Sequence, residues 1–170
     1  VNLKSDLNVL EMVLLGRARY LKWYQQPNSL DRKEAEKWLQ VMSLEHLAQS
    51  SFMTLSGGQK QLILIAQALT SECDLLILDE PSSALDLQNQ EKLFTILNEL
   101  QEVKSLTVIF STHDPNHAFH FCNHLIMLGF SKHYCGSCQQ IMTSQLLNEI
   151  YNVNFEEFFW NEGNLKYFVH

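Results

Sequence analysis

DLLILDEP, residues 74–81, sets four consecutive apolar residues against two carboxylates and a proline. A run this short, bounded by turn chemistry, reads as a strand buried on both faces. Such strands belong to parallel sheets covered by helices. Two further short runs, LTVIFS (106–111) and LIML (125–128), read the same way. Between them, residues 87–101 place Leu93, Ile96, Leu97 and Leu100 at helical spacing, and Asp114 with Pro115 opens another helix reaching about Cys122. Strand and helix thus alternate after residue 73, which predicts an α/β fold with a parallel sheet.

Upstream the pattern is helical. Val9, Met12, Val13 and Gly16 share one face of a helix over 9–17, and residues 18–30 read as an aromatic loop. Asp31 reads as the cap of a helix running to about Met42, with Ala35, Trp38, Leu39 and Met42 as its apolar stripe. Leu-Ser-Gly-Gly-Gln, residues 55–59, then opens a helix to about Leu69, with Ser56 at the N-cap. A short helix is expected near 143–151, followed by an aromatic tail containing Phe155, Phe158 and Phe159.

The helix at Ser56 begins with unsatisfied backbone N–H groups and the positive end of a dipole. Gly57 and Gly58 remove side chains there, and Ser56 adds a hydroxyl, which is chemistry suited to a phosphate. Asp79 and Glu80 stand at the C-terminal end of a strand, where open α/β sheets bind ligands. An acid able to hold Mg²⁺ and another able to polarise water are what phosphoryl transfer requires. His113, just past LTVIFS, can hydrogen-bond a γ-phosphate. Net charge is −7 and the basic residues are scattered, which argues against a nucleic-acid partner. The four cysteines, with no signal-peptide pattern ahead of them, are expected to be reduced thiols.

LSGGQ, LLILDEP, SALD (83–86) and STHD (111–114), in this order and spacing, resemble the ATP-binding subunits of ABC transporters. The resemblance implies a P-loop NTPase-type ABC ATPase domain, truncated at the N-terminus, with a parallel sheet and a helical subdomain. By that likeness residues 1–58 are the helical subdomain, ending in the signature, and residues 59–170 are the remainder of the core and the tail. It implies ATP and Mg²⁺ as cofactors. Ser56, Gly57, Gly58 and Gln59 would contact ATP held by a second subunit in a head-to-tail dimer. Asp79 would be the Mg²⁺-side acid, Glu80 the catalytic base and His113 the γ-phosphate switch, with Ser83 and Asp86 in the loop that crosses the dimer. Leu62 and Gln67 stand where that family often has Arg.

VLEMVLLGR with its aromatic loop, and MTSQLLNEIYNV, resemble the importer branch serving iron–siderophore, haem, cobalamin, molybdate or similar chelates. That implies an integral membrane permease as partner and a peripheral place on the cytoplasmic face of the plasma membrane. Leu15, Tyr20 and Trp23 become candidate permease contacts. The ATP-cradling pattern G-x-x-x-x-G-K-[ST] starts at none of the six glycines, and the chain opens on Val1. A cut from a longer subunit is therefore expected, with strands such as LLILD showing an apolar face and poor ATP hydrolysis by the chain alone. The alternative is an inactive remnant of such a subunit. Cys135-Gly136-Ser137-Cys138 is expected to lie in a hairpin turn, and His117, His120 and His124 on one solvated helix face.

Overall fold

The computed structural model describes residues 7–160 and 165–169, so Val1 and Gly163 lie outside the described residues. The chain divides into two compact units, Val1–Ser111 and Thr112–His170.

In the first unit, Asn8 caps α1 (Val9–Leu14), which runs on as a 3₁₀ turn over Leu15–Tyr20. α2 spans Ser29–Val41, α3 Gly57–Thr70 and α4 Leu87–Lys104; β1 is Leu75–Leu78 and β2 Thr107–Phe110. α1, α2 and α3 pack on one another through Val9, Val13, Ala35, Trp38, Leu39, Ile63 and Ala66, all buried. The expected cap of α2 is corrected: Asn28 is the N-cap, and Asp31 is the third helical residue of a reciprocal capping box. The backbone N–H of Asn28, and then the Arg17 guanidinium at 2.9 Å, hold the buried Asp31 carboxyl below its ordinary range. The same Arg17 donates to Thr70 O at 3.1 Å, so one side chain joins the 3₁₀ turn, α2 and the C-terminal end of α3.

β1 and β2 pair in parallel, Leu75 with Thr107 through Leu78 with Phe110. Leu76 and Leu78 are buried, but Leu75 and Ile77 remain 48% and 68% exposed, so the strand is covered on one face and not on both. Phe94 of α4 meets Phe110 at 5.2 Å between ring centroids on the covered side.

The second unit holds α5 (Pro115–Phe121), an antiparallel hairpin of β3 (His124–Leu128) and β4 (His133–Ser137), α6 (Cys138–Ile141), α7 (Ser144–Tyr151), and a hairpin of β5 (Glu156–Trp160) and β6 (Leu165–Val169). Met127, Met142, Leu147, Phe155 and Phe168 form its core. Asn116 ties α5 to β6, donating to Phe168 O at 3.0 Å and accepting from Phe168 N at 2.7 Å.

Three expectations change here. LIML pairs antiparallel, with β4, because the chain reverses after Gly129 within a few residues. Cys135 lies on β4 and Cys138 opens α6, so the C-x₂-C is no turn; the turn is at 129–132. α5 ends at Phe121, which leaves His124 on β3 and divides the three histidines between two elements. The aromatic tail is half core and half surface: Phe155 is buried, while Phe158 and Phe159 are exposed.

Gly16 has a packing reason. A Cβ placed there would stand 2.1 Å from Gln67 O on α3. Gly16→Ala is expected to lower stability by roughly 1–3 kcal/mol, read as a shift in the urea unfolding midpoint, since the helices would have to separate. An unchanged midpoint would refute the close approach.

Candidate functional site

The signature opens α3 as a capping box. Ser56 Oγ accepts from Gln59 N at 3.3 Å, and Gln59 Oε1 accepts from Ser56 N at 3.1 Å. The cap uses the lone pairs of Ser56 Oγ and leaves its O–H as a donor; it uses the Gln59 carbonyl and leaves the amide NH₂. A helix start with hydroxyl, amide and backbone donors is suited to an anion. Lys60, one turn on, donates to Met53 O at 3.0 Å and so keeps its charge near this end.

Sequence reasoning gave both glycines to the ligand, but one has a structural task of its own. A Cβ on Gly58 would meet Ala84 O at 2.7 Å, whereas one on Gly57 would meet only Ala84 Cβ at 3.8 Å. The loop containing Ser83 and Asp86 therefore lies directly against the signature helix of the same chain.

That loop is held by its own bonds. Ser83 donates to Glu80 O from its backbone N at 3.1 Å and from Oγ at 3.0 Å. Gln90 Nε2 donates to Ser82 O at 3.1 Å and Leu85 O at 2.9 Å. Asp86 caps α4, its Oδ1 accepting from Asn89 N at 2.8 Å.

Asp79 and Glu80 come directly after β1, and Ser111 directly after β2. Ser111 N donates to Leu78 O at 3.0 Å, which extends the parallel ladder by one rung. Its hydroxyl then donates to Asp79 Oδ1 at 2.6 Å and accepts from Glu80 N at 2.9 Å. Glu80 has φ 43°, in the left-handed region. Asp79 is exposed and Glu80 half-buried at the strand end. Sequence reasoning missed Ser111, although it lies within STHD. The signal that could have found it is its place, one residue past a strand that pairs in register with the strand carrying Asp79.

His113 belongs to the second unit, in the segment Thr112–Asp114 leading into α5. Its carbonyl accepts from Tyr151 OH at 3.3 Å. Asp114 Oδ1 caps α5 by accepting from Asn116 N at 2.8 Å, and Thr112 Oγ1 accepts from Asp114 N at 3.1 Å, so the backbone around His113 is fixed at several points. Cys138 Sγ donates to Ala118 O at 3.1 Å, and burial with the neighbouring Cys138 pushes the Cys122 thiol up to about 12. These thiols are structural rather than reactive. Among the described residues no three His, Cys, Asp or Glu side chains gather as a metal site, and no helix is long and apolar enough to cross a membrane.

A family profile described as "AAA domain, putative AbiEii toxin, Type IV TA system" matches residues 24–117. The chain is 40% identical over 146 residues to "Molybdate import ATP-binding protein MolC" of Haemophilus influenzae, covering 86% of the chain and 58% of that protein. It is 35% identical over 161 residues to "Probable iron chelatin transport ATP-binding protein" of Helicobacter pylori, covering 94% of the chain and 63% of that protein. Among solved structures, "An inward-facing conformation of a putative metal-chelate type ABC transporter" superposes with a TM-score of 0.88 at 36% identity, over 99% of the chain and 68% of its counterpart. The chain thus spans little more than half the length of the curated relatives it matches.

The two glycines should separate in stability. Gly58→Ala is expected to lower the melting temperature by several degrees, while Gly57→Ala leaves it nearly unchanged. Equal effects in a thermal melt would show that Ala84 does not approach as described.

Proposed function

The chain belongs to the ATP-binding subunits of ABC transporters, and we propose that it is the portion of a metal-chelate importer's subunit that carries the signature helix and the hydrolytic carboxylates. The observation carrying this reading is the strand-end arrangement, with Asp79 and Glu80 side by side after β1 and fastened to the residue after β2. The donor set fits Mg²⁺, a hard cation that takes one or two carboxylates and completes its shell with phosphate and water oxygens. When bound, Mg²⁺–ATP supplies the phosphoryl group and the neutralisation of its charge. Asp79 offers the cation the oxygen that Ser111 does not occupy. Glu80 takes the proton of an attacking water as general base, and His113 hydrogen-bonds the γ-phosphate. Ser56, Gly57, Gly58 and Gln59 close on ATP carried by a second subunit, and Ser83 and Asp86 line the same interface. The helical subdomain is residues 1–58, and the remainder of the core and the tail is 59–170.

The cargo class is an iron, molybdate or related chelate, and the partner is an integral membrane permease at the cytoplasmic face of the plasma membrane. The permease face is the surface around the 3₁₀ turn, where Leu15 and Tyr20 are half exposed and Trp23 is 95% exposed. Trp23→Ala is expected to weaken co-purification with a metal-chelate permease roughly tenfold while the melting temperature holds. Undiminished association would move the interface elsewhere.

A second reading is a non-catalytic portion that only completes another subunit's site. The two are separated by joining the chain to the N-terminal portion of the Haemophilus influenzae relative. Steady ATP turnover that Glu80→Gln lowers by about 10²–10⁴, with ATP binding retained, is expected under the first reading. A joined protein that folds and binds ATP without turnover supports the second, and turnover indifferent to Glu80→Gln refutes the assignment of the base.

A further inference from the structure

Between the two acids and the adjacent strand stands one hydroxyl, and we propose that Ser111 is a positioning residue for the hydrolytic pair, setting the aim of Glu80 and the orientation of Asp79. The inference rests on the roles given to those acids above. Its basis is geometric. The β1–β2 register ends at Leu78 opposite Phe110, so the next residues, Asp79 and Ser111, leave the sheet together. The bond from Ser111 N to Leu78 O, 3.0 Å, fixes the serine's backbone before its side chain acts. A hydroxyl has one hydrogen to give and two lone pairs to receive with. Here the hydrogen goes to Asp79 Oδ1 at 2.6 Å, and a lone pair takes Glu80 N at 2.9 Å. The short contact to an ionised carboxylate is the stronger of the two.

Glu80 needs this support because of its backbone. At φ 43° a residue with a Cβ is strained, and such a conformation persists only where its surroundings over-determine it. Ser111 holds its N–H and Ser83 holds its carbonyl at 3.1 and 3.0 Å, so both backbone polar groups of the strained residue are tied. Removing the hydroxyl releases the N–H, lets φ return to the negative range, and swings the Glu80 carboxyl off its line. The same loss lets Asp79 rotate. A neutral side chain with no place in the ATP contact set thereby governs the one that takes the proton.

Two readouts test this. In the isotopically labelled 170-residue chain, NMR exchange of the Glu80 amide is expected to quicken at least about tenfold in Ser111→Ala and to return in Ser111→Thr, which keeps the hydroxyl. In the joined protein, Ser111→Ala is expected to lower kcat about tenfold with KM for ATP unchanged, and Ser111→Thr to restore it. Should Ser111→Ala fail to fold, Ser111→Thr and Ser111→Val, alike in shape and differing in the hydroxyl, carry the same comparison. A Glu80 amide indifferent to the hydroxyl overturns the proposal. So does an amide that is released while kcat stands. Failure of Glu80→Gln to affect turnover would instead strike the assignment of the base, and leaves the amide result to be read separately.

Discussion

The parallel register of β1 and β2 is the constraint on which the rest of the site depends. Because Leu78 faces Phe110, the two chains leave the sheet at the same level, and the residues just past one strand meet those just past the other. A slip of one residue would turn every side chain to the opposite face. Asp79 would then lose its hydroxyl partner, and Leu76 and Leu78 would lose their burial. Core packing and the placement of Asp79 and Glu80 are here set by one hydrogen-bonded ladder.

The signature helix is fixed at both ends by different means. Its start is fixed by the Ser56–Gln59 box and by Ala84 seated where Gly58 has no Cβ. Its end is fixed by Arg17, whose guanidinium reaches both Asp31 and Thr70 O, and by Gly16 drawn in against Gln67. Charge-assisted contacts at a helix C-terminus also complement the negative end of its dipole. α3 is thus a rod seated against the Ser83–Asp86 loop at one end and the surface around the 3₁₀ turn at the other.

The elements with strong local signals were legible in the sequence. Ser56 as cap, Asp114 with Pro115 as a helix start, and the apolar stripe of α4 each rest on chemistry within a few residues, and the structure has them in place. What the sequence hid depends on partners far along the chain. LIML is as apolar as LLIL, and only the short return after Gly129 decides that one strand pairs antiparallel and the other parallel. Asn28 and Asp31 can each cap a helix, and the half-buried Arg17, bonded to Asp31, settles which one sits inside it. Ser111 looked like an ordinary strand-end residue, because its bonds to residues 79 and 80 exist only once the strands pair. The four motifs carried the family; the reason Gly58 is a glycine became visible only with Ala84 beside it.

The left-handed backbone at Glu80 bears on how such a sequence changes over generations. Asparagine, aspartate and glycine adopt that conformation at lower cost than glutamate does. Replacements that discard the carboxylate's reach would therefore relieve strain, and selection for folding alone would favour them. A glutamate that persists there does so against the pull of stability. Under the role proposed for Glu80, its retention in a lineage would record continued demand for a base, and its drift to asparagine or glycine would mark where that demand ended.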